Sequence, residues 1–286
     1  MNPRLIKILV CPHCGGALRE NAGALICSAG HTANIARQGY VSLLGRDSGT
    51  HTADSAEMIA ARERFLASGH FDPLAAAVSG EVGRALDDLP DGAIVDLGSG
   101  TGYYLAAVLG ACGSGAGDAS RIGLGIDNSK FAARRSARCH PDAGAIVADI
   151  WDELPVATGS AAIVLDIFAP RNGEEIRRIL TPGGILIVVT PTARHLGELI
   201  GPLEMISVDT DKELRLEKTL GDLAEGMEIS EFEWEVDLGR EAVRDVVGMG
   251  PSAGRTDPGR FEKALNQLPD PVKVTGSVRI GRSRRR

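Results

Sequence analysis

Val95-Asp96-Leu97-Gly98-Ser99-Gly100-Thr101-Gly102 decides the reading of the fold. The apolar run Ala93–Leu97 reads as a short buried strand. Glycines at 98, 100 and 102 then let the backbone turn and approach a ligand closely, and Tyr103–Ala111 continues as a helix whose first amides face the turn. A strand, a glycine-rich turn and a helix in this order form a site for a nucleotide-type ligand. Outward from it, Ile122–Ile126 is a second strand ending in Asp127, an acid placed to hold ribose hydroxyls. Gly144–Ala148 is a third, ending in Asp149, and Ala161–Ile167 and Gly184–Val189 supply two more, with helical stretches near 128–140 and 172–180. This alternation specifies an α/β fold with a mainly parallel, doubly wound sheet and a site at the strands' carboxyl ends.

The carboxyl-terminal third changes period. Glu231–Leu238 alternates acid and apolar residues, and Val272, Val274, Val278 and Ile280 alternate with polar ones, so both read as half-buried strands of an antiparallel pair. Between the first residues and the glycine turn, residues 45–53 are small and polar and read as a linker. Asp54 with Glu57 resembles a capping box that opens a helix with Met58, Ala61, Phe65 and Leu66 on its apolar face, and Asp72-Pro73 starts another helix over 73–88.

At the amino end Cys11, Cys14, Cys27 and His31 stand as C-x2-C-x12-C-x3-H. Two such knuckles supply four ligands to one tetrahedral Zn²⁺. No position remains for water, so the metal is structural. The spacer is long enough for a hairpin, with turns at Gly15-Gly16 and Asn21-Ala22-Gly23, and His13 reads as a solvated side chain. Cys112 and Cys139 read as packing residues. Five cysteines clustered in this way, no apolar run long enough to span a bilayer and no signal-peptide pattern at Met1–Arg4 lead to the expectation of a cytoplasmic protein.

With 286 residues and 43% hydrophobic content, the chain can bury a sizeable core. Its net charge of −7 argues against a uniformly basic nucleic-acid binder, yet residues 1–46 carry +4 and the last fourteen carry +6. Both ends are therefore candidate phosphate contacts, and the terminal Arg run reads equally well as a solvated tail. Three segments follow: a zinc-binding recognition module at 1–46, linker and connecting helices at 47–90, and a cofactor domain at 91–286.

The zinc knuckles, Gln38–Leu44, Asp54–Met58 followed by Gly69–Phe71, the loop Asp96–Tyr104 and Phe168-Ala169-Pro170 together resemble the bacterial 23S rRNA guanine-N1 methyltransferases, a family that includes the tylosin- and mycinamicin-resistance enzymes. The resemblance covers essentially the whole chain. It implies a class I (Rossmann-like) methyltransferase fold, S-adenosylmethionine as methyl donor and a hairpin of 23S rRNA as partner, with no membrane and with a homodimer left open. It also implies that Gly98, Gly100, Thr101 and Gly102 wrap the cofactor while Asp96 fixes the loop. Asp127 holds the ribose and Asp149 the adenine amino group, and Phe71 and His195 contact the cofactor. Phe168 and Pro170 close the target pocket, with Phe168 as a stacking surface for a flipped guanine. Asp166, two residues before Phe168 on the same side of its strand, is the candidate base for the N1 proton.

Two other functions fit part of the pattern. A nicotinamide-dependent oxidoreductase also uses a glycine loop and a later acid, but the loop here is GxGxG. Of Tyr40, Tyr103 and Tyr104, none is followed four residues later by lysine. A zinc-containing RNA-binding or regulatory protein with a vestigial cofactor domain is the alternative outside enzymes.

Overall fold

The computed structural model describes residues 1–45, 51–113, 121–206, 218–253 and 257–286. Strands β5 (Ala93–Leu97), β6 (Gly123–Asp127), β7 (Ala143–Val147) and β8 (Ala161–Ile167) are buried along their whole length. Continuous apolar runs of this kind are what a parallel sheet covered on both faces requires. β9 (Leu180–Pro191) lies beside β8 in parallel and begins four residues earlier than the sequence suggests, directly after helix α6 (Gly173–Ile179).

The sheet is completed by β4 (Val41–Ser42), β10 (Glu228–Leu238) and β11 (Val272–Arg284), in the order β10-β11-β9-β8-β5-β6-β7-β4. β11 is antiparallel to both β9 and β10, and the remaining pairs are parallel. The antiparallel pair expected from the change of period is thus present, inserted so that the last strand lies inside the sheet. This order and polarity are those of a class I methyltransferase. Helices α4 (Tyr103–Ala111) and α5 (Lys130–Ser136) connect the early strands. α2 (Ala56–Ala67) and α8 (Arg240–Gly248) line the cavity over the carboxyl ends of the strands, α3 (Asp72–Gly83) packs on α4, β9 and β10, α7 (Gly197–Ile200) follows β9, and α9 (Pro258–Leu265) precedes β11. No helix among the described residues is long and apolar enough to cross a membrane.

The first helix, α1 (Pro3–Ile6), is capped by Asn2, and strands β1 (Leu18–Asn21), β2 (Ala24–Cys27) and β3 (Thr32–Asn34) form a small antiparallel sheet. Its hairpin turns at Ala22 and Gly23, both at positive φ, as the sequence signal implies. A division of the chain at residue 46 is crossed by the packing. Leu5, Leu9, Leu25 and Leu43 share one buried cluster with Leu97, Leu124 and Ile146, β4 pairs with β7, and the Val10 amide donates to Pro155 O at 3.1 Å. Arg46 itself lies outside the described residues.

Two local expectations are corrected. α2 is capped by Ser55, whose Oγ accepts from the Met58 amide at 3.2 Å, while Asp54 pairs with Arg62 at 2.7 Å. The terminal arginines are not a free basic arm. Lys273, Arg279 and Arg282 lie on β11 opposite the acids of β10, so Arg279 meets Glu231 at 3.0 Å, Lys273 meets Glu235 at 3.1 Å and Arg282 pairs with Glu228, while Arg284 donates to Gly183 O at 3.1 Å and Arg285 to Leu180 O. Such exposed pairs contribute about 0–1 kcal/mol each, but they spend the charge that phosphate would need, and they leave the edge strand β10 charged and unattractive to other strands.

Within that pair, Trp234 stands directly across from Gly276 and donates through Nε1 to His70 O at 3.0 Å. A Cβ on Gly276 would lie 2.3 Å from the indole ring. Gly276→Val should therefore displace Trp234 and lower stability by about 1–3 kcal/mol, read as a shifted midpoint in urea denaturation followed by circular dichroism.

Candidate functional site

Cys11 and Cys27 are held by turns on either side of the β1–β2 hairpin, and His31 follows β2. Their ligand atoms, with that of Cys14, all lie within 4.8 Å of one another. Cys14 Sγ is 3.7 Å from Cys27 Sγ, and His31 Nδ1 is 3.5 Å from Cys11 Sγ and 3.4 Å from Cys27 Sγ. Zinc–sulfur bonds of about 2.3 Å at tetrahedral angles put two sulfurs about 3.8 Å apart, so the four atoms stand as a zinc ion would hold them. Burial pushes the Cys27 thiol up, but hydrogen bonds from the His31 backbone and Cys14 outweigh it and bring the pKa down to about 6, which favours the thiolate. His13 is exposed and only stacks edge-on against His31.

The second site is a cavity of about 940 Å³ above the carboxyl ends of β5–β9, near the upper end of the ~300–1,000 Å³ usual for ligand sites. The glycine loop forms one side. Gly98, Gly100 and Gly102 have φ of 65°, 51° and 80°. Added Cβ atoms at Gly98 and Gly102 would meet Ala169 at 2.6 Å and Cys139 at 2.7 Å, so side chains there are excluded by both space and backbone. At Gly100 the contact is 3.1 Å to the movable end of Arg62, and the backbone angle is the restriction. Asp127, at the end of β6, accepts from the Gly100 amide at 2.9 Å through Oδ2 and from the Ser129 amide at 2.8 Å through Oδ1. Burial raises its pKa against those two bonds. Asp96 is raised well above the carboxylate range, first by burial and then by Asp127 and Asp166 nearby. Asp149, at the cavity's far end beyond β7, accepts from the Trp151 amide at 3.0 Å and faces His51 Nδ1 at 2.8 Å. Because a carboxyl oxygen has two lone pairs, Asp127 and Asp149 keep acceptor positions for a ligand beyond these bonds. Ser99 Oγ and the Tyr104 hydroxyl are buried without partners in residues that line the cavity, which fits a polar ligand lying over the loop.

The opposite wall carries Phe168, Pro170 and His195. Phe168 is 40% exposed and has φ of 55°, a left-handed backbone that a bulky residue adopts only under constraint. His195 lies 5.5 Å from its ring, 5.9 Å from Phe71 and 6.2 Å from Trp234, between centroids. Phe71 lines the cavity but is only 2% exposed, with most of its ring packed edge-on against Phe65 and Trp234. The structure therefore brings the predicted site residues outside the zinc cluster to one cavity, with two exceptions: Gly102, which seats the loop against Cys139 and Ser136 and does not line the cavity, and Asp166. Asp166 has 0% exposure and is not among the residues lining the cavity. One of its oxygens accepts from Arg171 at 3.1 Å and the other has no partner, because β8 is buried on both faces and its polar side chain turns into the sheet. Burial, opposed by Arg171, pushes its pKa up to about 7. It is not placed to touch a base stacked on Phe168.

Sequence reasoning missed three residues of the rim. Arg62 on α2 lies over Gly100, paired with Asp54 and donating to Met249 O at 2.7 Å. His51 and the 49%-exposed Trp151 sit together over Asp149, rings 5.9 Å apart. Only the position of Trp151, two residues after the strand-end acid, was a usable signal. The contacts of Arg62 and His51 come from tertiary approach.

Residues 9–46 match the family model described as RlmA, N-terminal, a zinc ribbon. The chain is 45% identical to a Micromonospora griseorubida protein assigned to 23S rRNA (guanine-N(1)) methylation, over 99% of each chain. It is 43% identical to the 23S rRNA (guanine(748)-N(1))-methyltransferase of Streptomyces fradiae over 97% of each. With the Bacillus subtilis protein YxjB, given the same general assignment, identity is 34% over 66% of each.

Purified protein should contain about one zinc per chain, and Cys27→Ser should release it, as measured by elemental analysis; retention of full zinc in the variant would remove the assignment. Asp166 supplies a pH test. Its folded pKa of about 7 exceeds the 3.8 of an ordinary aspartate, so the folded state binds the extra proton and stability falls as pH rises between those values. Asp166→Asn should flatten that fall, measured as urea midpoints across the interval.

Proposed function

The chain belongs to the 23S rRNA (guanine-N1)-methyltransferase family, and we propose that its cavity takes S-adenosylmethionine over the glycine loop and a guanine, flipped out of a 23S rRNA hairpin, against Phe168. It is a methyltransferase with a structural zinc ribbon. The observation that carries the site reading is the pairing, in one cavity, of a glycine loop tied to Asp127 with an exposed, constrained aromatic ring across from it.

Bound there, the cofactor supplies an electrophilic methyl group on a sulfonium. The chain's own residues do the rest. Gly98, Gly100, Thr101 and Gly102 leave room for its backbone contacts, Asp96 and Asp127 set the loop, and Asp127 offers its free lone pairs to the ribose hydroxyls. Asp149 accepts from the adenine amino group. Arg62, whose guanidinium lies over Gly100, is a cation beside the loop for a carboxylate. Phe168 offers a stacking face and Pro170 bounds it. Much of the rate then comes from holding the base in line with the methyl group.

RNA contact falls to the zinc-bearing end. Lys7, Arg19 and Arg37 are exposed there, and the small sheet is joined through β4 to the edge of the main sheet beyond Asp149. That arrangement supports a reading in which phosphate is bound on the same flank as the cavity.

Calorimetry should show S-adenosylmethionine binding, with NADH not competing. Asp127→Ala should weaken it, since a lost hydrogen bond to a charged group costs about 1.5–3 kcal/mol. Mass mapping of a 23S rRNA hairpin carrying guanine 748, the base named for the Streptomyces fradiae relative, should show one methyl group on a guanine N1, at a rate that falls as salt rises. Binding of NADH in preference would replace the reading by the oxidoreductase one.

A further inference from the structure

His195 sits in the turn that leaves β9, and its ring is fixed from several sides. The Ser277 amide donates to Nδ1 at 3.2 Å. The turn is held by the Thr192 amide donating to Ser277 O at 3.0 Å, and by a 2.6 Å bond between the Thr192 and Ser277 hydroxyls. A ring that accepts at Nδ1 and is neutral carries its proton on Nε2. Burial holds the His195 pKa down to about 4, so the ring is neutral at ordinary pH. The charged groups around it are engaged elsewhere: Glu233 of β10 accepts from Ser277 Oγ and pairs with Arg194, and Glu198 of α7 accepts from Thr275 on β11. With Phe71, Phe168 and Trp234 around the ring, the polar atom it can present to the cavity is Nε2. That atom is a donor and has no free lone pair, so His195 cannot serve as a base.

The carboxylates that line the cavity are also poorly placed for that task. Asp96, Asp127 and Asp149 stand at the ends of strands one, two and three places from β8, which Phe168 follows, roughly 5, 10 and 14 Å at about 4.8 Å per strand, and Asp96, the nearest, is 2% exposed and held in its protonated form by burial. Asp54 is paired with Arg62, and Asp166 is outside the cavity. A guanine on Phe168, by contrast, has its O6 on the atom next to N1, and O6 takes much of the negative charge when the N1 proton leaves.

We propose that His195 donates from Nε2 to O6 of the target guanine and so stabilises the N1-deprotonated base that takes the methyl group. The proposal rests on the guanine reading of the cavity given above, and it assigns His195 to the substrate where the family resemblance implied a cofactor contact. In the step, the N1 proton passes to solvent water and the N1 electron pair forms the bond to the methyl carbon. The carbon–sulfur bond breaks with its pair left on sulfur, and His195 keeps its proton throughout. This is oxyanion stabilisation by one preset donor.

Two variants test it, read by calorimetry for S-adenosylmethionine and by single-turnover methylation of an rRNA hairpin against pH. His195→Leu should keep cofactor affinity, lose roughly 10²–10³-fold in rate, and show its rate rise displaced to higher pH. His195→Gln, which retains an amide donor, should recover part of the rate and of the pH profile. Weakened cofactor binding with an unchanged rate at saturation would overturn the proposal, as would equal losses in both variants with the pH profile unmoved. If the parent enzyme binds S-adenosylmethionine but leaves guanine N1 unmodified, the guanine reading of the cavity fails instead, whatever His195 does.

Discussion

The hydrogen bond from the Gly100 amide to Asp127 is the contact on which the cofactor side of the molecule depends. It joins the turn after β5 to the end of β6, and the second oxygen of the same carboxylate holds the start of the next helix through Ser129. A neutral side chain of the same shape would hold one donor less well, and a longer one would not fit between two buried turns. The cost is carried by the electrostatics. Asp96, Asp127 and Asp166 are buried close enough for Asp96 to feel both of the others, and all three are driven toward protonation. Buried acid around a backbone loop is costly unless donors meet it, and here amides meet both oxygens of Asp127 and Arg171 meets one oxygen of Asp166, while the other stays without a partner.

The two edges of the sheet are closed by different physics. β10 is shielded by charge, with its acids answered by the bases of β11. At the other edge β4 is two residues long and belongs to the segment that carries the zinc cluster. Because Leu5 packs closely against Gly144, where a Cβ would come within 2.6 Å, the metal-bearing segment is seated on the main core and not tethered beside it. Zinc binding and sheet integrity are therefore coupled through shared apolar contacts.

Much of this was legible in the residues. Continuous apolar runs ending in Asp127 and Asp149 could only be buried parallel strands, and strict alternation at Glu231–Leu238 could only be an edge strand with one wet face. The glycine spacing and the four zinc ligands carry their geometry in the sequence, because each restricts the backbone locally. What was not legible depends on contacts between distant segments. Ser55 and Asp54 are both good helix caps, and the choice fell to Ser55 because Arg62 takes Asp54. Alternation puts Asp166 and Phe168 on one side of β8. It could not show that Phe168 would turn left-handed and leave the carboxylate behind in the sheet. A basic tail and a basic strand have the same composition, and only the facing acids of β10 distinguish them.

The chain holds two tryptophans, and the fold gives them opposite surroundings. Trp234 is enclosed between sheet and helix with its indole nitrogen bonded, whereas Trp151 stands half in water at the rim of the cavity beside Asp149. The protein thus carries two intrinsic optical probes of different colour. Emission from the buried indole, at shorter wavelength, reports the state of the antiparallel pair, and emission from the wet one reports occupation of the cavity's far end. Ligand entry and unfolding become separable signals in the unlabelled protein.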